Sequence, residues 1–280
     1  MTSSFLLSLA TFSYVIVMVL FFTYVFFQNK TFRSVIRAAT TAGLAFNLAG
    51  WILRWIESAR LGYGHVPLSN FYEALITISW CIVLVYIIIQ WRYKTDILGV
   101  FIFPIVSLAM AYASLSPSVR DSIQPLMPAL QSNWLTYHVL TCLLGYAAFT
   151  VAFGSSIAYL IKQGEKGKSK GGIPDLLPHA DLLEEVIYKA NAIGFLLLGI
   201  GIVTGSVWAN VAWGSYWSWD PKETWSLITW IVYAVFLHAR LTKGWKGKRM
   251  AVLSIIGFIA VLFTFLGVNF LLSGLHSYAS

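Results

Sequence analysis

The densest group of residues able to bind a ligand is the stretch WGSYWSWDPKETW, residues 213–225. It holds four of the twelve tryptophans in the chain. Glycine and serine separate the rings in its first half, and such small neighbours leave aromatic faces accessible. The candidate ligand contacts in this stretch are Trp213, Tyr216, Trp217, Trp219, Asp220 and Trp225. Tryptophans also gather in belts at membrane surfaces, and that interpretation stays open.

The same stretch carries a helix-start signal. Asp220 can cap a helix, Pro221 suits the first helical position, and Glu223 completes a capping-box pair. The N-terminus of a helix favours a bound anion. Flat aromatic faces beside an anion site suit a flat, amphipathic ligand that carries carboxylates. Haem is one such ligand.

Three of the five histidines are candidate ligands of haem iron, because neutral imidazole is a standard axial ligand. They are His138, His238 and His276. For each of them the alternative is a hydrogen-bonded side chain at the membrane boundary. His179 is expected to be solvated, and the sequence leaves the role of His65 open.

A membrane helix bundle must position these residues. The 280 residues are 58% hydrophobic and 11% charged, whereas a soluble domain has roughly 25% charged residues. We expect an all-α fold that forms a single integral-membrane domain over residues 1–280. Apolar runs of about 20 residues predict eight transmembrane spans near 4–27, 37–57, 70–91, 97–115, 134–161, 187–208, 222–241 and 250–272. The amphipathic run 181–190 predicts a separate helix on the inner membrane surface.

The cations set the orientation of these spans. Fourteen fall on one side: Lys30, Arg33, Arg37, Arg92, Lys94, Lys162, Lys166, Lys168, Lys170, Arg240, Lys243, Lys246, Lys248 and Arg249. Positive charge accumulates on the cytoplasmic side, which places both termini and the Trp-rich loop 209–222 outside. His138 and His276 then lie on the outer side, near that loop. His238 lies about 17 residues below the start of its span, roughly 25 Å away, and belongs to a second site.

With these residues placed, the sequence resembles a known family. The segments WGSYWSWDPKETWSLITW, YAVFLHARLTKGWKGKR, NFLLSGLHSYA, NWLTYHVLTCLLGYAAF and GHVPLSNFYEALITISW are similar to those of the CcsA-type, or ResC-like, proteins of system II cytochrome c biogenesis. These proteins handle haem and share a Trp-rich "WWD" motif. The resemblance covers about 62–80, 132–150 and 205–280, and it implies a haem-handling core over about 132–280.

The resemblance implies roles for the histidines. His138 and His276 match the two outer haem ligands of the family, and His238 matches one intramembrane ligand. A second intramembrane histidine then comes from a ResB/CcsB-type partner. The implied function is export of haem b and its attachment to the CxxCH segment of apocytochrome c, as a subunit of a cytochrome c synthase. The membrane is either the bacterial cytoplasmic membrane or the thylakoid membrane.

Alternative functions stay open at this point. A membrane protein that holds a bis-histidine haem could transfer electrons and oxidise quinol. A haem-delivery subunit of the CcmC or CcmF type shares the Trp-rich motif. The sequence contains no CxxC motif and no Walker P-loop motif, which argues against thiol–disulfide exchange and ATP hydrolysis.

Overall fold

The computed structural model describes residues 2–164 and 173–272, and every regular element in these ranges is helical. The α-helices are α1 (Ser3–Phe27), α2 (Lys30–Arg60), α3 (Phe71–Tyr93), α4 (Gly99–Leu115), α5 (Asn133–Gly164), α6 (Ile173–Leu176), α7 (Ala180–Trp213), α8 (Pro221–Leu241), α9 (Lys248–Leu262) and α10 (Val268–Leu271). A 3-10 turn (Pro128–Leu130) precedes α5. A π turn (Phe263–Gly267) joins α9 to α10.

Six described helices are long and apolar enough to cross a bilayer: α1, α3, α5, α7, α8 and the continuous helix Lys248–Leu271. The chain is therefore a multi-pass helical membrane protein, which confirms the predicted fold class. Helices α2 and α4 cover the other two predicted spans. Helix α4 has 17 residues, and α2 carries charged side chains at both ends and within its length. Eight crossings and the side of each terminus stay predictions.

The prediction of a separate surface helix over residues 181–190 is wrong. Those residues form the start of α7, which runs for 34 residues without a break, or about 51 Å at 1.5 Å per residue. The sequence contains neither glycine nor proline between Ala180 and Ile193, so nothing ends the helix between the amphipathic run and the apolar span.

The helices cluster into two compact units, and each is described by itself. The first comprises Met1–Pro125 with Gly164–Pro178. Its interior contains an ion pair between Arg54 of α2 and Glu73 of α3, with 2.8 Å between Nε and Oε1. The two side chains are 2% and 1% exposed. Both Ser69 N–H and Ser69 Oγ–H donate to the other oxygen of Glu73, so the carboxylate is fully bonded.

A second charged cluster in this unit surrounds Asp96, between α3 and α4. Its carboxylate accepts hydrogen bonds from Arg33, Arg37 and Gln90. Burial opposes ionisation of Asp96, but the hydrogen bonds from Arg37 and Arg33 outweigh burial and hold its pKa below the ordinary value. The cluster ties the start of α2 to the α3–α4 connection.

The second unit comprises Leu126–Gln163 with His179–Ser280. Helix α5 lies against α7, where a Cβ atom at Gly194 would lie 2.5 Å from the ring of Phe149. That ring stacks on Tyr233 of α8, with centroids 3.6 Å apart. Arg240 near the end of α8 pairs with Glu184 near the start of α7. This unit contains most of the described part of the predicted haem-handling core.

Candidate functional site

The Trp-rich loop is a short connection between the ends of α7 and α8. Helix α7 ends at Trp213, and Gly214 caps it with a φ of +75° and an N–H that donates to Asn210 O at 2.9 Å. A positive φ is readily adopted by glycine, so Gly214 turns the chain out of α7. Seven residues later Pro221 begins α8.

The start of α8 is the predicted capping box. Asp220 accepts a hydrogen bond from Lys222 N at 3.0 Å, and Glu223 accepts one from Asp220 N at 3.2 Å. Glu223 also accepts from Ser218 N at 2.8 Å, which fixes the loop. The carboxylates of Asp220 and Glu223 therefore already accept hydrogen bonds from amide groups that we expected to bind an anion. The cation at this helix start is Lys222, whose Nζ donates to Asn269 Oδ1 at 3.1 Å.

Two rings of the loop face outward. Trp219 is 69% exposed and Tyr216 is 60% exposed. Trp219 has a φ of +59°, a conformation that is uncommon for residues other than glycine. Its ring and that of Trp217 are nearly perpendicular, with centroids 5.8 Å apart. Trp217 is half-buried, and its Nε1 has no hydrogen-bond partner among the described residues.

Trp213 and Trp225 point elsewhere. Trp213 contacts Trp208 of α7, with ring centroids 4.9 Å apart. Trp225 packs on Phe263 at the π turn, with centroids 4.2 Å apart. The structure therefore separates Trp225 from the exposed rings of the loop and places it between α8 and the last helix.

His138 lies in the second turn of α5, next to Trp208 of α7. Its Nδ1 is 2.7 Å from Gly201 O of α7. A carbonyl oxygen only accepts, so neutral His138 carries its proton on Nδ1 and keeps the lone pair on Nε2. The ring stacks on Trp208, with centroids 5.8 Å apart and planes inclined by 21°. This arrangement is typical of a histidine whose Nε2 binds a metal.

Trp208 connects the histidine to the loop, and sequence reasoning missed it. It is 4% exposed, and its Nε1 donates to Ala129 O at 2.9 Å. The indole of Trp208 stacks on the ring of His138 and also contacts the ring of Trp213. Its position, five residues before the Trp-rich stretch, was the available signal.

Comparison with known proteins agrees with these features. A family model described as cytochrome C assembly protein matches residues 68–276, which include the Trp-rich loop and the three candidate histidines. The chain belongs to the cytochrome c assembly protein family.

Individual relatives in this family are similar over almost the whole chain. The cytochrome c biogenesis protein CcsA of Mesostigma viride is 41% identical over 89% of this chain and 88% of its own length. CcsA of Gloeothece citriformis is 39% identical over 93% of this chain and 94% of its own. A solved structure, the cytochrome c heme lyase CcmF, shares the fold at a TM-score of 0.68 and 18% identity. That match covers 95% of this chain and 47% of the solved chain.

The remaining histidines of this assembly-family chain have different surroundings. His276 lies outside the described residues. His238 is exposed near the end of α8, on the same face as Ile231 and Val235, which are 48% and 52% exposed. It lies 18 residues beyond Asp220, or about 27 Å along the helix. The structure therefore does not bring His238 to His138.

His65 and His179 also receive positions. His65 is 7% exposed, and its ring nitrogens lie 3.1 Å from Val66 O and 2.9 Å from Gln124 O. The contact with Gln124 O links His65 to a second loop of the first unit. His179 precedes α7 and is exposed, as expected for a solvated side chain.

Proposed function

We propose that this chain delivers haem to the outer face of its membrane and takes part in attaching it to apocytochrome c. The observation that carries the proposal is the contact of His138 Nδ1 with Gly201 O at 2.7 Å, which in a neutral ring makes Nε2 the acceptor nitrogen. Membership of the cytochrome c assembly family supports the same function.

The outer site works by positioning haem, which is cargo and not a resident cofactor. His138 Nε2 binds the iron from one side, and His276 is the second axial ligand by its resemblance to the family. The exposed rings of Tyr216 and Trp219 lie against the macrocycle, and Trp217 supports Trp219 through the contact between their rings. Holding reactants in register supplies much of the rate enhancement in such reactions.

Attachment requires no nucleophile from this chain. Each cysteine thiol of the CxxCH segment adds across a vinyl group of haem, so that sulfur bonds to one vinyl carbon and a proton to the other. The histidine of the same segment replaces one of the two axial histidines. Because the addition involves no net oxidation, the chain needs only to hold haem and exclude water.

An inner site precedes the outer one in this proposal. His238 lies on an exposed face of α8, where a ResB/CcsB-type partner in the same membrane supplies the second histidine.

The eight-span orientation with both termini outside places His238 near the cytoplasmic side. Reporter fusions at residue 280 and within 164–172 should report opposite sides of the membrane; reports from one side would contradict this orientation. Relatives from both cyanobacterial and algal organisms are compatible with a bacterial or thylakoid membrane.

The test of the outer site is His138→Ala, with His179→Ala as the matched control because His179 is exposed and makes no capping hydrogen bond. His138→Ala should abolish covalent haem in cytochrome c and lower the haem content of the purified protein. Added imidazole should restore part of both by filling the axial position. Full maturation by His138→Ala without imidazole would rule out the ligand role. Rapid oxidation of quinol by tightly held haems would favour the electron-transfer function instead.

A further inference from the structure

Helix α7 presents a row of glycines to the helix that carries His138. Helices α5 and α7 run antiparallel, so residues of increasing number along α7 face residues of decreasing number along α5. The facing pairs are Gly194 with Phe149, Gly201 with Cys142, and Gly205 with His138. A Cβ atom added to any of these glycines would lie within 2.5 Å of the facing side chain.

The pair at Gly205 leaves no room for a side chain on α7. A Cβ atom at residue 205 would lie 2.5 Å from Nδ1 and 2.7 Å from Cε1 of His138. Contacts of Cβ atoms below 3.0 Å essentially never occur in real structures. Even an alanine would therefore push the imidazole away from its observed position.

The observed position is what allows the ring to reach the carbonyl of Gly201. That oxygen accepts from His138 Nδ1 at 2.7 Å and from Thr204 Oγ1 at 3.1 Å. Trp208 covers one face of the ring. The imidazole is thus fixed by a hydrogen bond, by the bare backbone at residue 205 and by a stacked indole.

We propose that Gly205 and Gly201 are positioning residues for His138. The missing side chain at Gly205 lets the ring reach α7, and the carbonyl of Gly201 then fixes the Nδ1–H tautomer. The proposal rests on the role of His138 as a haem ligand. A hydrogen bond from the ring nitrogen that does not bind the metal raises the basicity of the coordinating nitrogen, and its loss typically costs about 10–100-fold in metal affinity.

The first test compares Gly205→Ala with Gly164→Ala. Both glycines are helical, and a Cβ atom at Gly164 would meet nothing within 4 Å. In an exposed helix Ala is more stable than Gly, so Gly164→Ala should keep wild-type haem content. Gly205→Ala should weaken haem binding by about 10–100-fold. Imidazole should restore haem binding in Gly205→Ala, because the added ligand does not depend on the position of the ring.

A second readout needs no haem. The ¹⁵N spectrum of histidine-labelled apoprotein reports the tautomer of each imidazole, and His138→Ala identifies the signal of His138. The wild type should show the neutral Nδ1–H form for this residue. Gly205→Ala should lose that signature, because the displaced ring no longer reaches Gly201 O. An unchanged tautomer in Gly205→Ala would overturn the proposal.

A double variant keeps the proposal testable if Gly205→Ala fails to accumulate in the membrane. Removing the ring in His138→Ala/Gly205→Ala relieves the clash, so the double variant should accumulate like His138→Ala alone. Equal loss of the single Gly205→Ala and the double variant would show that the clash is not with His138, and would overturn the proposal.

The outcomes separate this proposal from the proposed function. Wild-type haem binding by Gly205→Ala, together with low haem binding by His138→Ala, contradicts the positioning role and leaves the ligand role intact. Wild-type haem binding and maturation by His138→Ala contradict the proposed function itself.

Discussion

Replacing Trp219 with glycine should weaken haem binding strongly while leaving the fold almost as stable as before. Trp219 is 69% exposed and has a φ of +59°. An L-residue in this left-handed region is destabilised by roughly 1–2 kcal/mol, and glycine avoids that cost. A large aromatic residue held in this conformation at the surface is expected where it serves a ligand rather than the core.

The opposing contributions are of similar size. Glycine gains flexibility in the unfolded chain, which costs about 0.5–1 kcal/mol. The edge contact with Trp217 is worth about 0.5–1.5 kcal/mol. These terms nearly cancel the relief of strain, so the free energy of unfolding should change by no more than about 1 kcal/mol. By comparison, replacing a packed tryptophan with alanine costs about 3–5 kcal/mol.

The effect on haem should be much larger. A tryptophan side chain has roughly 200 Å² of surface. If half of it lies on the macrocycle, the lost contact is worth about 2.5 kcal/mol at ~25 cal/mol per Å². Haem binding at the outer site should therefore weaken by roughly 60-fold.

The assay measures denaturant unfolding of the purified apoprotein and the haem content of the same preparation. Trp225→Ala is the matched control, because its ring packs on Phe263 and its loss should destabilise the fold. A loss of stability above about 3 kcal/mol in Trp219→Gly would refute the reasoning about exposure and strain. Unchanged haem content would instead favour a membrane-surface belt of tryptophans.

Three further perturbations follow from buried charges and from the inner site. Arg54→Met leaves the carboxylate of Glu73 buried without its partner and should destabilise the protein by about 3–5 kcal/mol; in denaturant unfolding the double variant Arg54→Met/Glu73→Met should be more stable than Arg54→Met, and equal stability would contradict this. Because the native pKa of Asp96 is lowered, its stabilising contribution is complete above the unfolded pKa of about 3.9 and is lost as pH falls through the native pKa. Asp96→Asn should therefore make the free energy of unfolding depend less on pH below about pH 4. An unchanged acid unfolding transition would refute this role of Asp96. His238→Ala, purified with its partner, should contain no haem at either site, and wild-type haem content with wild-type maturation would refute the relay from inner to outer site.

Features that depend on neighbours along the chain could be predicted from the sequence. The capping box at Asp220 and Glu223 formed as predicted, because a helix start is set by the residues within one turn of it. The helical membrane fold also followed from composition and from the length of the apolar runs. The prediction for residues 181–190 was wrong because an amphipathic pattern indicates a helix but does not show where that helix ends.

The side chains that meet across helices could not be predicted in this way, because these contacts depend on how the helices pack. The hydrogen bond from His138 to the carbonyl of Gly201 joins residues 63 positions apart, and no local pattern marks that carbonyl as its partner. The pairing of Arg54 with Glu73 and the contact of His65 Nε2 with Gln124 O are likewise contacts between elements. Trp225 belongs to the Trp-rich stretch in sequence, yet the rotation of α8 turns its ring towards Phe263. Residue types fix what chemistry is possible, whereas helix register fixes which atoms come within reach of one another.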